Sequence, residues 1–413
     1  MNLIEFEGFE FVDGGVCAPK GFQAAGVHCG IRKNKSKKDL AMVYSTVPCA
    51  AAAMYTQNKV KGAPILVTRE NLKDGMAQAI IVNSGNANTC NADGEEKAWK
   101  MCQLAGNVLN LDPSQVIVAS TGVIGQVLPI EPIADHVEEL AKALSDQGGS
   151  DAAEAIMTTD TVKKELAVRF RIGNTECTIG GMAKGSGMIH PNMATMLCFL
   201  TTDVAIEPAL LQKALKRVVD DTFNMVSVDG DTSTNDTCSI MASGLAGNSM
   251  ICDETSSEFL VFEDALYIAL MNLSREIAAD GEGATKLLEC VVNGAVDVKN
   301  AKIIAKGVIT STLFKCAMFG EDANWGRILC AIGYSEAELD ITQVEVLLSS
   351  NAGCIKVCEE GAGVDFSEEE AAKILAEDEI KIIVNLGDGE AKAVAWGCDL
   401  TYDYVKINGD YRT

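Results

Sequence analysis

The stretch Lys184-Gly-Ser-Gly-Met-Ile-His-Pro-Asn-Met-Ala-Thr-Met-Leu-Cys-Phe-Leu200 sets a glycine-rich polar loop directly against an apolar run, with Thr195 at the join. A β-branched residue that opens a buried strand is ordinarily Val or Ile, because an unpaired hydroxyl inside costs about 1–3 kcal/mol. Thr195 is therefore either strand filler or a reactive group. A threonine hydroxyl needs a base before it can attack, and the chain has three histidines, His28, His136 and His190. His190 alone is near Thr195 in sequence, and beside Pro191 it reads as a loop residue. Scission of the Ala194–Thr195 bond supplies a different base. The freed α-amino group, with a pKa of about 8, would sit on the same residue as the hydroxyl. Gly185, Gly187 and Pro191 permit unusual backbone geometry, and the small Ala194 leaves its carbonyl open to the neighbouring Oγ. An N-to-O acyl shift followed by ester hydrolysis would then release the new terminus. On local pattern alone, a glycine-rich loop entering a strand accounts for the same letters.

Working outward, strands and helices alternate throughout. Ala79–Val82 is a short apolar strand running into the loop Asn83-Ser-Gly-Asn-Ala-Asn-Thr89. A helix follows over about 94–110, with Ala98, Met101, Cys102, Ala105 and Val108 on one stripe. Val116–Val118 is a strand that breaks at Ser120-Thr-Gly-Val-Ile-Gly125, and a second helix runs from Pro132 to about Ser145. Strands near 165–172 and 176–180 lead into the opening stretch. Beyond it the pattern predicts helices over 207–223 and 258–279, a strand at 287–292, an apolar helix near 301–318 and a strand at 328–332. This order indicates a layered α/β (α+β) architecture without a clean sequence repeat. A chain of 413 residues exceeds what one core usually supports, so two domains or fused halves are expected, with a soft boundary at the loop before Thr195.

A formal charge of −24 argues against nucleic-acid or anionic-membrane partners, which would be repelled at long range, and favours small metabolites. The basic run Arg32-Lys-Asn-Lys-Ser-Lys-Lys38 reads as a solvated loop. Fifteen cysteines without repeating spacing, among them Cys198, Cys290, Cys316 and Cys330 in apolar runs, look like reduced core residues. The start MNLIEFEGFEF is acidic, unlike a secretory or transit leader, and no apolar run reaches the ~18 residues of a membrane span. An intracellular, cytoplasmic protein is expected.

Familiar motifs fail on order. In Gly180-Gly-Met-Ala-Lys-Gly-Ser-Gly187 the lysine precedes the glycine, which is not a phosphate-binding P-loop, and Ser186 lacks the flanking glycines of a nucleophile elbow. Asp229-Gly-Asp-Thr-Ser-Thr-Asn-Asp-Thr237 begins like a calcium loop but lacks the central glycine and the closing Glu, where Ile240 stands. Histidines and cysteines do not assemble a zinc site, so no metal is expected.

The segment from Gly181 to Leu197 resembles, almost letter for letter, the self-cleaving site of the ornithine acetyltransferase family of arginine biosynthesis, also called glutamate N-acetyltransferases. Gly26–Ile31, Asn83–Asn88, Ser120–Gly125, Met157-Thr-Thr-Asp160, Asp229–Asp236, Asp280-Gly-Glu-Gly-Ala-Thr-Lys286 and Asn324-Trp-Gly-Arg327 are similar to further family signatures, in the family's order. The resemblance covers essentially the whole chain. It implies an N-terminal-nucleophile type sandwich of sheets covered by helices, which matures by cleaving Ala194/Thr195 into an α chain of residues 1–194 and a β chain of residues 195–413. Thr195 would take the acetyl group from N2-acetyl-L-ornithine and pass it to L-glutamate by a ping-pong route. The family includes members that also use acetyl-CoA, and the resemblance leaves that donor open. It implies no cofactor and an assembly of two α and two β chains.

The resemblance also assigns roles. Thr121 and Gly122 form the oxyanion hole, where a strand ends and a hydroxyl and an N–H can converge. Lys184 is the cation for a substrate carboxylate. Thr158 contacts substrate, with Thr159 its adjacent rival. Glu282 receives a substrate ammonium between two glycines, and Asn408 and Thr413 reach the site from the carboxyl end, so the tail is expected to be docked. If water resolved the acyl-enzyme instead of an amine, the same chemistry would serve an N-terminal-threonine amidase or aminopeptidase.

Overall fold

The run that follows the opening loop becomes a strand, Leu197–Thr202, with all six residues buried. It lies between an antiparallel neighbour, Thr175–Lys184, and a parallel one, Thr237–Ala242. Strands covered on both faces carry continuous apolar runs, which is why this segment shows no alternation. The structure, a computed structural model, describes residues 2–190 and 196–410.

In chain order the strands are β1 (Glu10–Val12), β2 (Phe22–Val27), β3 (Leu40–Tyr55), β4 (Met76–Asn83), β5 (Val116–Ser120), β6 (Lys164–Ile172), β7 (Thr175–Lys184), β8 (Leu197–Thr202), β9 (Val226–Ser227) and β10 (Thr237–Ala242). They continue with β11 (Leu287–Ala295), β12 (Glu345–Ser350), β13 (Gly353–Glu359), β14 (Ala362–Gly363), β15 (Glu379–Asn385) and β16 (Ala391–Cys398). Among the described residues they form two mixed sheets. The first runs β1-β6-β7-β8-β10-β3-β4-β5 with β2 also on β3, and the second runs β14-β13-β12-β15-β11-β16-β9. β7 and β8 flank the 194/195 position and pair with each other, so the first sheet takes strands from both sides of that position. The second sheet is built only from residues after it.

Helix Ser257–Ala279 joins the layers. It packs on β6 and β7 of the first sheet and on β11 and β16 of the second. Its C-terminal part is buried on nearly every side, which needs apolar residues all round, and Leu266, Ile268, Ala269 and Met271 supply them on different faces. Its start is capped by Ser256, whose Oγ accepts from the Phe259 N–H at 3.1 Å. Helix Gly94–Leu109 buries Ala98, Met101, Cys102 and Ala105 of its expected stripe and leaves Val108 half-buried, and helix Glu131–Lys142 buries Ile133, Val137 and Leu140 and ends before Leu144.

Two elements differ from the sequence expectation. Ile328–Ile332 is not a strand but part of helix Trp325–Gly333, started by Asn324, whose Oδ1 accepts from the Arg327 N–H at 3.1 Å. A five-residue apolar run carries no decisive period, and the cap decides it. The helix expected near 301–318 is two, Val298–Thr310 and Thr312–Phe319, separated at Ser311, which caps the second through the Phe314 N–H. Cys316 and Cys330 are exposed on these helices rather than in the core.

Phe199 is fully buried at the centre of β8. Phe199→Ala should lower stability by about 3–5 kcal/mol in denaturant unfolding. An unchanged transition midpoint would place this side chain outside the core.

Candidate active site

β4 and β5 are parallel, and their last residues, Asn83 and Ser120, lie opposite each other. Asn83 ties the two loops that follow. Its Nδ2 donates to Ser120 Oγ at 2.6 Å, its Oδ1 accepts from the Asn86 N–H at 3.1 Å, and its carbonyl accepts from the Thr121 N–H at 2.9 Å. Gly122 has φ +128°, and a Cβ there would stand 2.7 Å from Asn86 N and from Gly85 C. The position therefore admits no side chain, and the chain reversal leaves Thr121 and the Gly122 amide at a cavity wall. Asn235 secures the same wall from the loop before β10. Its Nδ2 donates to Ala87 O (2.6 Å) and Ser120 O (2.9 Å), and its Oδ1 accepts from Thr89 Oγ1 (2.6 Å) and Thr234 Oγ1 (2.5 Å).

Lys184, the last residue of β7, is only 2% exposed although it lines the cavity. Burial lowers its pKa from the usual lysine value, against the opposing pull of Asp160 and Asp236. Burial works against ionisation of Asp160 as well, yet Lys184 and Lys164 outweigh it and hold that carboxyl well below the usual range. Asp236 behaves oppositely. Burial pushes its carboxyl well above the usual value, so it tends to the neutral form. Its Oδ1 accepts from the Met196 N–H at 2.9 Å, and its Oδ2 has no hydrogen-bond partner among the described residues.

The opposite charge comes from Glu282. A Cβ on Gly187 would lie 2.3 Å from the Glu282 carboxyl carbon, so the absence of a side chain is what admits this carboxylate. Asn408 Nδ2 donates to Glu282 Oε2 at 2.8 Å from helix Tyr402–Asp410. Tyr404 of the same helix donates through its hydroxyl to Asp229 Oδ2 at 3.2 Å. Asp229 in turn accepts from the N–H groups of Met188 (2.6 Å) and Ile189 (2.9 Å), and Met188 sits at φ +57°. Of the tail expected to be docked, residues 402–410 form a helix tied at two points.

One cavity of about 240 Å³ is lined by Thr121, Gly122, Thr158, Lys184, Glu282 and Asn408. Thr158 and Thr159 both reach it, and the Thr158 N–H is bound to Asp160 Oδ2 at 2.9 Å. Ala194, Thr195 and Thr413 lie outside the described residues. His190 Nδ1 is 3.3 Å from Ser227 Oγ, and burial lowers its pKa. Sequence reasoning gave no role to Asn235, Asp236, Asp160, Lys164 or Asp280. All but Lys164 fall inside stretches already marked as signatures, which was the available signal.

Among the described residues no group of His, Cys, Asp or Glu side chains could hold a metal ion, and no helix is long and apolar enough to cross a membrane. Thr121 and Gly122, the buried Lys184 and the Glu282 carboxylate thus surround one cavity. The sequence pattern of the ArgJ family matches residues 23–413, and the chain belongs to that family. It is 52% identical over 406 residues to the arginine biosynthesis bifunctional protein ArgJ of Symbiobacterium thermophilum, covering 98% of this chain and 100% of that one. The crystal structure of arginine biosynthesis bifunctional protein argJ from Bacillus halodurans is 47% identical with a TM-score of 0.49, covering 52% of this chain and 98% of that chain. Ornithine acetyltransferase from Mycobacterium tuberculosis, complexed with ornithine, is 36% identical with a TM-score of 0.41, covering 44% of this chain and 98% of that one.

Gly122→Ala should cost about 1–3 kcal/mol in thermal unfolding, because any side chain meets the Gly85–Asn86 backbone in a left-handed conformation. A melting temperature equal to wild type would show that the wall tolerates a side chain.

Proposed function

We propose that the chain is an acetyltransferase of arginine biosynthesis that carries acetyl from N2-acetyl-L-ornithine to L-glutamate through an ester on Thr195. The observation that supports this reading is that Thr121, Gly122, the buried Lys184 and Glu282 line one cavity. In the first half-reaction the Thr195 Oγ attacks the acetyl carbonyl while the α-amino group of Thr195 accepts the hydroxyl proton. The Thr121 hydroxyl and the Gly122 N–H donate to the developing oxyanion. The C–N bond then breaks, the proton passes to the departing nitrogen, and ornithine leaves. Glutamate's amine attacks the ester, and the Thr195 oxygen recovers its proton as N-acetylglutamate departs. Lys184 holds the substrate carboxylate and Glu282 the substrate ammonium, with Asn408 orienting Glu282. Thr158 and Thr413 complete the substrate contacts.

Exchange of an acetyl group between nitrogen and oxygen involves no electron transfer, so the reading requires no cofactor. Acetyl-CoA acts as a second donor, in keeping with the bifunctional description of the relative from S. thermophilum. The enzyme works in the cytoplasm on small metabolites as two α and two β chains cut from one precursor at Ala194/Thr195. Family membership disfavours the amidase or aminopeptidase reading, in which water resolves the ester.

The test is mass spectrometry of products from acetylornithine with and without glutamate. Acetylglutamate should form when glutamate is present, whereas acetate as the sole product under both conditions would convert the reading to a hydrolase. Thr195→Ala should run as one 43.7 kDa band on a denaturing gel, where wild type gives two fragments. Equal fragmentation of the variant would remove Thr195 from the cleavage step.

A further inference from the structure

Next to the cavity, bonded to residues of its lining segments, is an ion cluster that does not itself line it. Lys164, the first residue of β6, has no exposed surface, Asp160 is 4% exposed and Asp280, directly after helix Ser257–Ala279, is 8% exposed. Lys164 Nζ donates to Asp160 Oδ1 at 2.8 Å and to Asp280 Oδ2 at 2.5 Å. A buried lysine held by two carboxylates from distant parts of the chain leaves little freedom to any of the three.

The remaining lone pairs of the aspartates are directed to the backbone of the substrate-contacting segments. Asp160 Oδ2 accepts from the Thr158 N–H at 2.9 Å, and Oδ1 from the Gly185 N–H, next to Lys184, at 2.7 Å. Asp280 accepts from the hydroxyl and N–H of Thr161. Its carbonyl accepts from Ser186 Oγ at 2.7 Å, and the Ser186 carbonyl accepts from the Glu282 N–H at 2.9 Å. Thr158, Lys184 and Glu282 thus stand on three chain segments that meet at one buried knot.

We propose that Asp160, Lys164 and Asp280 are positioning residues that set the spacing between the cation of Lys184 and the carboxylate of Glu282, and so the length of amino acid the site accepts. This rests on the reading of the cavity as an amino-acid acetyl-transfer site. None of the three side chains lines the cavity. Removal of the cluster shifts the two charged ends of the cavity relative to each other and to the oxyanion wall, which is bound separately through Asn83 and Asn235.

The experiment uses the full chain with two variants. Lys164→Met removes the cation, and Ser186→Ala deletes only the hydroxyl that ties the Lys184 loop to Asp280. L-ornithine binding is measured by calorimetry, and kcat and KM are measured for acetylornithine and glutamate beside the melting temperature. Lys164→Met should weaken ornithine binding and raise both KM values by about tenfold or more, as misplaced contacts do. Ser186→Ala should raise both KM values in the same direction at a melting temperature close to wild type. A merely structural cluster would lower the melting temperature and the yield of active enzyme while leaving KM and ornithine affinity within about twofold of wild type, and that result overturns the proposal. If Lys164→Met does not fold, Ser186→Ala decides by the same criterion. Wild type that neither binds ornithine nor transfers acetyl would instead overturn the reading of the cavity itself, and the inference with it.

Discussion

Lys164 is a cation removed from water, and its two carboxylates arrive from separate parts of the chain. Taking such charges out of solvent costs several kcal/mol per ion unless each finds a partner with good geometry. The structure meets that condition only when the turn after residue 157, the end of β7 and the end of helix Ser257–Ala279 meet at one place. That meeting point adjoins the cavity. The geometry of the site is thus coupled to the packing of the helix that fills the space between the two sheets.

Charge is distributed unevenly around this point. Asp160 stays ionised because two lysines face it, whereas burial drives Asp236 towards its neutral form. Two aspartates in one region are therefore pushed apart in acidity by their surroundings. The buried Lys184 lies within the field of both.

Much of the site was legible in the letters. The loops Asn83–Asn88 and Ser120–Gly125 each follow an apolar strand, and the structure sets those strands side by side so that Asn83 faces Ser120. Gly122 and Gly187 could be marked as special, but not for which neighbour. One makes room for the Gly85–Asn86 backbone and the other for the Glu282 carboxylate, far away in sequence. Lys164 was not legible at all. In the letters it is one of two adjacent lysines at the start of a strand, and only burial and pairing with Asp160 and Asp280 distinguish it from its exposed neighbour Lys163. The helix at Trp325–Gly333 was misread because a short apolar run obeys either period, and the decisive contact is a single cap.

By itself the sequence determined the alternation of strands and helices and the family. Those properties reside in local period, side-chain chemistry and motif order, which survive without knowledge of neighbours. Tertiary structure alone decided that strands from both sides of position 194/195 share one sheet, and that the tail helix ties onto Glu282 and Asp229. It also set the opposite directions in which the acidities of Asp160 and Asp236 shift. Hydrogen-bond partners and desolvation depend on what lies across space, and no linear spacing encodes that.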